Sequence, residues 1–179
     1  AEGRFNPEIK PLDQETGQGI PYGTYAFATQ GALVSVDQDS GEVEVLDVVA
    51  SHDMGRAINP ANVLGQIEGG ISMGLGYGMM EEILLKDGAI QNPRFSEYFI
   101  PTALDVPKII PLFVEAEEPT GPFGAKGVAE PALVPTAPAI LNAIYAASGI
   151  RIKELPVTSE MIWRLLSERK GVMGTRRKE

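Results

Sequence analysis

The sequence contains no cysteine and a single histidine among its 179 residues. The chain therefore forms no disulfide and supplies no thiolate for a structural zinc or an iron–sulfur cluster. One histidine, His52, excludes a histidine-rich metal site within the chain, and we interpret it as a strand-end residue with local hydrogen bonds. The lack of disulfide chemistry fits a cytoplasmic protein.

Long apolar runs and an excess of positive charge are also missing. No apolar stretch is long enough to span a bilayer, and the first residues show no apolar core of a signal peptide. The formal net charge is −9, and residues 169–179 hold five basic residues and one acid, so the rest of the chain is more acidic still. An acidic body argues against nucleic acid as a partner, and the lack of a long apolar run leads us to expect no membrane partner.

What is present predicts one mixed α/β layer structure with 44% hydrophobic residues. Residues 1–22 are polar and rich in proline, which predicts an extended arm. Residues 23–170 form the body, and residues 171–179 are interpreted as a basic flexible tail. The body opens with two alternating runs, "TYAFATQGALVSVD" and "EVEVLDVVASHD", which predict a β-hairpin with its turn at residues 39–41.

A glycine-rich helix is predicted after this hairpin. Asn59 followed by Pro60 is typical of a helix start. Apolar residues then recur every four positions, at Val63, Ile67, Ile71, Leu75 and Met79, among six glycines. Each glycine costs about 1 kcal/mol relative to alanine inside a helix. Two explanations stay equally open: tight packing against a neighbouring element, or close approach by a ligand.

The remaining pattern predicts short strands followed by helices. The segment "EEILLKDGAIQ" predicts a strand with a turn at Asp87 and Gly88, and "IIPLFVEA" predicts another strand. The segment "PALVPTAPAILNAIYAASGI" predicts one helix ending at Gly149, and "TSEMIWRLLSER" a last helix capped by Thr158 or Ser159. The acid pairs Glu81–Glu82 and Glu117–Glu118 are interpreted as exposed acids at element ends, although such a pair is also compatible with an acid/base dyad.

The stretch "GPFGAKGVAEP", residues 121–131, places Glu130 where a glycine-rich loop enters a helix. It lacks the G-K-[ST] ending of a phosphate loop. With Pro131 as the first helical residue, Glu130 fits a simple helix cap worth about 0.3–1 kcal/mol. The upstream glycines instead suit a backbone that wraps a ligand beside a general base. The pattern alone leaves both open and slightly favours the cap.

Three collinear motifs resemble a known family. "DMGRAINPANVLGQIEGGISMGLGYGMMEE", "FSEYFIPTALDVPKI" and "GAKGVAEPALVPTAPAILNAI" are similar, in this order, to segments of the xanthine dehydrogenase/aldehyde oxidase family of molybdenum hydroxylases. The resemblance covers roughly residues 23–168 and points to the C-terminal part of the molybdopterin-binding subunit. It implies the fold of a molybdopterin-binding domain.

The resemblance also implies an activity and cofactors. Members of this family hydroxylate a heterocycle or an aldehyde with oxygen from water, at a molybdenum held by molybdopterin or its cytosine dinucleotide form. The metal has no protein ligand in this family. Iron–sulfur clusters and FAD are expected on partner domains or subunits, together with the remainder of the molybdopterin subunit. The isolated chain is expected to be inactive.

The resemblance assigns roles to single residues. Glu130 falls on the family's general base, and Gln66 on the glutamine beside the metal's oxo ligand and the pterin. The backbone of Lys126, Gly127 and Val128 falls on the loop that holds the cofactor. Ala129 stands where the family usually has glycine, so the backbone before the base is expected to differ slightly, because alanine restricts positive φ. A non-catalytic scaffold that keeps the fold without cofactor is the alternative function, and Ala129 and the short chain are its support.

Overall fold

A computed structural model of the chain describes residues 2–4, 6 and 9–176, with side chains up to residue 169. The described part of the N-terminal stretch forms an isolated bridge between Lys10 and Ile20. The carboxylate of Asp13 accepts hydrogen bonds from two backbone N–H groups of the intervening turn. Side chains along this stretch are mostly exposed. The longer regular elements begin after it.

The predicted hairpin is confirmed as two antiparallel strands, β1 (Ala28–Val36) and β2 (Val43–Asp53). Half-buried and exposed residues alternate along β1, as expected for a strand with one face on the core. The carboxylate of Asp37 accepts hydrogen bonds from two backbone N–H groups of the turn. Gly41 adopts φ of +76°, which glycine tolerates without a steric penalty.

The glycine-rich helix α1 (Pro60–Met79) follows, as predicted. The side chain of Asn59 accepts a hydrogen bond of 3.1 Å from a backbone N–H of the first turn, so it is the N-cap. Ile67, Ile71 and Leu75, from the predicted four-residue spacing, are all buried. This apolar face fixes the rotation of α1 against the rest of the body.

The sheet gains its third strand after α1. Strand β5 (Lys108–Val114) pairs in parallel with β2, giving the order β1-β2-β5. A parallel pair needs a long crossover connection, which α1 and the following segment provide. Within that segment, the predicted strand is a separate hairpin of two short strands, β3 (Leu85–Lys86) and β4 (Ala89–Ile90). Its turn at Asp87 and Gly88 is confirmed, with φ of +50° and +77°.

One long helix was predicted after the glycine-rich loop, and this is wrong. Two helices occur, α2 (Ala129–Leu133) and α3 (Thr136–Ser148). Pro135 separates them because it has no N–H to donate to the preceding turn. The predicted end of α3 is confirmed, since Gly149 forms the C-cap with φ of +71°.

The last helix is α4 (Ser159–Arg176), which continues into the stretch interpreted as a tail. The hydroxyl of Thr158 accepts a hydrogen bond from the backbone N–H of Met161, so Thr158 is the cap. Residues 177–179 of the predicted tail lie outside the described residues. In the part of the chain that the structure describes, no helix is both long and apolar enough to cross a membrane.

Within the part of the chain that the structure describes, the core consists of two hydrophobic clusters. The first joins the C-terminal part of α1 to α3 and α4 under the hairpin. The second joins β2, the N-terminal half of α1 and α2, and contains Val48, Ala50, Met54, Ile67, Ile71 and Ala132. Of the residues predicted to form a site, Val128 packs against the second cluster, which therefore helps to position them.

Candidate functional site

Two glycines bring α1 into close contact with the helices after the loop. A Cβ built on Gly70 would lie 2.6 Å from the Cβ of Ala132, and one on Gly74 would lie 2.5 Å from the Cβ of Thr136. These contacts are one helical turn apart on both sides of the interface. α1 therefore runs alongside α2 and the start of α3 in the same direction. The close packing predicted for some of the glycines occurs here.

This register places two predicted site residues at one end of the helix pair. Gln66 lies one turn before Gly70 along α1. Val128 lies four residues before Ala132, and Glu130 lies between these two in the sequence. Val128 packs against the second core cluster. The side chains of Gln66 and Glu130 are both exposed. A carboxylate and a carboxamide thus share the same end of the pair.

The other glycines near this end face open space. A Cβ on Gly65, Gly69 or Gly127 would meet no atom within 4 Å. The main chain at these three glycines is therefore accessible, unlike at Gly70. The two explanations for the glycine-rich helix apply to different positions. Gly70 and Gly74 pack tightly against the neighbouring helices, whereas Gly65 and Gly69 leave the backbone accessible.

Glu130 is not the N-cap that the sequence suggested. α2 begins at Ala129, and its N-cap is Val128, which makes no side-chain capping hydrogen bond. Pro131 is the third residue of α2, not the first. The reason is local, because Val128 keeps a non-helical ψ of −17° with φ of −126°, whereas alanine favours the helix. Glu130 therefore belongs to the first turn, with its side chain exposed.

Ala129 takes a helical conformation at the start of α2. It is not among the residues with positive φ, which near the loop are Phe123 and Gly124. Alanine is compatible with this backbone, so replacing the family's glycine by Ala129 does not require the different backbone before Glu130 that the sequence led us to expect. The alternative function as a cofactor-free scaffold loses one of its supports.

The Lys126 side chain turns into the protein instead of toward the exposed end. Its Nζ lies 2.6 Å from Oδ2 of Asp53, and the two side chains are 8% and 7% exposed. Asp53 ends β2 and belongs to the first of the three motifs. Sequence reasoning missed this residue, although its position as the last residue of a partly buried strand was a usable signal.

Several contacts act on the pKa of Asp53. Burial raises it, but the hydrogen bond and charge of Lys126, together with the backbone N–H of Gly55, outweigh burial and hold the pKa of Asp53 below its usual value. A lowered carboxyl pKa stabilises the fold above the unfolded value of 3.8, and this stabilisation is lost as the pH falls through the folded pKa.

We therefore expect Asp53→Asn to lower the free energy of unfolding most above pH 4. The difference from wild type should shrink as the pH falls below that value, because wild-type Asp53 then becomes neutral as well. Urea unfolding at a series of pH values measures this. A difference that stays constant down to the acid end would show that the charge of Asp53 does not stabilise the fold.

A second contact missed by sequence reasoning holds α2 against the sheet. Nε2 of Gln30 donates a hydrogen bond of 2.7 Å to the carbonyl of Ala132, and the hydroxyl of Thr136 donates one of 2.8 Å to Oε1 of Gln30. Gln30 lies on β1, more than a hundred residues away in the sequence. No local sequence pattern predicts this pairing, because only the fold brings β1 and the segment around Ala132 together.

His52 lies near the end of β2, as predicted, but it is buried, with 1% exposure. The predicted local hydrogen bonds are wrong, because Nε2 of His52 is 3.4 Å from Nε2 of Gln30 on β1 and its Nδ1 has no hydrogen-bond partner among the described residues. Burial lowers the pKa of His52. The imidazole of His52 is therefore favoured in its neutral form, buried beside Gln30, which in turn contacts α2.

The acid pairs lie elsewhere. Glu82 and Glu117 are exposed as predicted. Glu81 and Glu118 are half-buried: Glu81 accepts a hydrogen bond of 2.6 Å from the hydroxyl of Tyr98, and Glu118 accepts from Thr120. Each of these two carboxylates is occupied by a local hydroxyl, as expected for structural acids.

A groove of about 980 Å³ opens at the opposite end of α1. Its walls include Leu75, Met79, Phe99 and the acids Glu44 and Asp105. None of the six predicted site residues lines it. The described residues also contain no group of three or more His, Cys, Asp or Glu side chains that would hold a metal ion.

The chain matches a family model described as a molybdopterin cofactor-binding domain over residues 1–107. It is 35% identical, over 77% of its length, to the xanthine dehydrogenase molybdenum-binding subunit of Escherichia coli O157:H7. It is also 35% identical, over 81% of its length, to an aldehyde oxidoreductase molybdenum-binding subunit of Escherichia coli K12. These alignments cover 19% and 21% of those two relatives, so the chain spans about a fifth of their length.

Comparison of the fold with solved structures leads to the same family. The aldehyde oxidoreductase of Desulfovibrio gigas matches 89% of the chain with a TM-score of 0.83 and 32% identity, over 17% of its own chain. The chain therefore belongs to the molybdopterin cofactor-binding domain family of the xanthine dehydrogenase and aldehyde oxidoreductase type. The predicted resemblance and the predicted mixed α/β fold are confirmed.

Proposed function

We propose that this chain contributes the general base and part of the cofactor cradle to a molybdenum-dependent hydroxylase acting on a heterocycle or an aldehyde. The observation that carries the proposal is the shared location of Gln66 and Glu130 at one end of the paired helices. Their side chains are exposed beside main chain that glycine leaves open. Family membership supports the cofactor, and the geometry supports the roles of the residues.

The residues at this end fit a pterin cofactor. A flat, strongly hydrogen-bonding ring system needs accessible main chain and polar side chains, which Gly65, Gly69, Gly127 and Gln66 supply. A metal carried by the cofactor's own sulfur ligands needs no cluster of protein ligands. Both molybdopterin and its cytosine dinucleotide form are compatible with these residues. When bound, the cofactor would supply the metal and accept two electrons from the substrate.

The protein's own contribution is proton transfer and orientation. The Glu130 carboxylate would accept the proton of a water-derived hydroxyl while that oxygen bonds to the substrate carbon and the C–H bond of that carbon breaks, its hydrogen leaving with the electron pair that the cofactor would accept. The Gln66 amide would donate hydrogen bonds that orient the cofactor. The backbone of Lys126, Gly127 and Val128, with Ala129, would hold it from the loop side. Because the side chain of Glu130 is exposed, its carboxylate is accessible to a substrate.

Electrons must then leave the site, so partners are part of the proposal. The chain has no cysteine to ligate an iron–sulfur cluster. We infer that clusters and FAD reside on partner domains or subunits, that the remainder of the molybdopterin subunit completes the substrate pocket, and that the isolated chain does not turn over substrate. The acidic body makes nucleic acid an improbable partner, and a cytoplasmic location fits this assembly.

Isotope labelling tests the proposed reaction. The native assembly containing this chain is incubated with xanthine, nicotinate or an aromatic aldehyde and an artificial electron acceptor in ¹⁸O-labelled water. We expect one labelled oxygen in the product of at least one substrate. Product oxygen drawn from O₂, or no turnover of any of the three by an assembly that contains molybdenum, would contradict the proposed function.

A further inference from the structure

A buried ion pair joins two of the motifs in this chain. Asp53 is the last residue of β2, the strand that precedes α1, and Lys126 belongs to the glycine-rich loop before α2. Their side chains meet at 2.6 Å with 7% and 8% exposure. The other ion pair among the described residues, Arg4 with Glu2, is fully at the surface. Buried charges are costly unless they are paired and hydrogen-bonded, so this contact needs well-defined geometry.

The backbone around the pair is joined as well. The N–H of Lys126 donates 2.8 Å to the carbonyl of Met54, and the N–H of Arg56 donates 2.9 Å to the carbonyl of Gly124. Oδ1 of Asp53 accepts a hydrogen bond of 3.0 Å from the N–H of Gly55. Residues 53–56 and 124–126 thus form a two-segment contact, which we call the clamp.

Glycine is required at the centre of the clamp. Gly55 adopts φ of +60°, and a Cβ there would lie 2.2 Å from the carbonyl oxygen of Gly124. The two main chains therefore approach too closely for any side chain between them. Gly55 and Ala125 form an isolated β-bridge across this contact.

The clamp anchors a loop whose side chains are otherwise mostly exposed. From Glu115 to Val128 most residues are exposed or half-buried, and Phe123 is 80% exposed. The helix that follows lacks a side-chain cap. Lys126 is the residue just before Gly127, and Glu130 follows one turn later. Any shift of Lys126 would therefore be transmitted directly to the exposed end of the helix pair.

We propose that Asp53 and Lys126 are positioning residues, whose ion pair fixes the loop that presents Gly127 and Glu130. The catalytic meaning of this proposal rests on the function proposed above. Its structural content does not: the side chain of Lys126 points inward to Asp53, and its backbone N–H donates to the carbonyl of Met54, so both tie the loop to residues 53–54. The sequence resemblance assigned Lys126 to cofactor binding through its backbone, and it assigned no role to Asp53.

The main test is the double variant Asp53→Asn with Lys126→Met in the native assembly. It removes both charges together, so no unpaired charge is left buried, and we expect folding to be retained. We expect hydrogen exchange of amides 121–128 to become at least about tenfold faster, while exchange in α3 stays unchanged. We also expect kcat to fall about tenfold or more with KM within about twofold, because a misplaced base affects the chemical step.

Two further variants sharpen the result. Lys126→Arg keeps the charge and should restore most of the exchange protection, whereas Lys86→Met, on the exposed β3–β4 hairpin, should leave it at the wild-type level. Wild-type exchange of the loop in the double variant would overturn the proposal, as would a uniform increase across the whole chain. If the assembly contains no molybdenum, the proposed function fails, but the exchange measurement still decides the role of the clamp.

Discussion

Glu130→Gln is expected to lower kcat by about 10²–10⁴-fold while leaving the molybdenum and pterin content unchanged. Glutamine keeps the size and hydrogen-bonding ability of the side chain but does not accept a proton at neutral pH. Because Glu130 is exposed in the first turn of α2, the substitution removes no packing. Steady-state kinetics on the native assembly, combined with metal analysis of the same preparation, measure both quantities.

Glu160→Gln is the matched control. Glu160 is also an exposed glutamate in the first turn of a helix, α4, but that helix packs on the other core cluster. We expect wild-type kcat for this variant. If Glu130→Gln retained more than about a tenth of wild-type kcat with full cofactor, the carboxylate would not be the general base.

Gly74→Ala is expected to destabilise the protein by about 1–3 kcal/mol, although alanine is the better helix former. The new Cβ would lie 2.5 Å from the Cβ of Thr136 and 2.9 Å from the carbonyl oxygen of Leu133. The end of α2 and the start of α3 would have to move away from α1, which also strains the hydrogen bond from Thr136 to Gln30. Urea unfolding of the variant and wild type compares their free energies of unfolding.

Gly69→Ala provides the opposite case on the same helix. A Cβ at Gly69 meets no atom within 4 Å, so only helix propensity acts and the variant should gain up to about 1 kcal/mol. Equal effects of the two substitutions would mean that the packing at Gly74 does not hold α2 in place.

Much of the fold follows from local patterns. The hairpin, the start of α1 at Asn59, the left-handed cap at Gly149 and the turn at Asp87 were predictable because each depends on a few neighbouring residues. The break between α2 and α3 was also local, at Pro135, but the alanine-rich sequence around it outweighed that single proline in the prediction.

The candidate site was predictable in part. Glu130 and Gln66 were identified through motif resemblance, and the structure brings them to one end of the helix pair. Which glycines pack and which remain open was not predictable, because it depends on where α2 crosses α1. The contacts of Asp53 with Lys126 and of Gln30 with Ala132 join segments distant in sequence, so no periodicity reveals them.

The most direct test of the central claim is the molybdenum and pterin content of the native assembly that contains this chain. We predict close to one molybdenum and one pterin for each copy of the chain. An assembly purified intact that contains neither would contradict this account, because the roles proposed for Glu130, Gln66 and the loop all depend on a bound cofactor. The fold would then serve a different purpose.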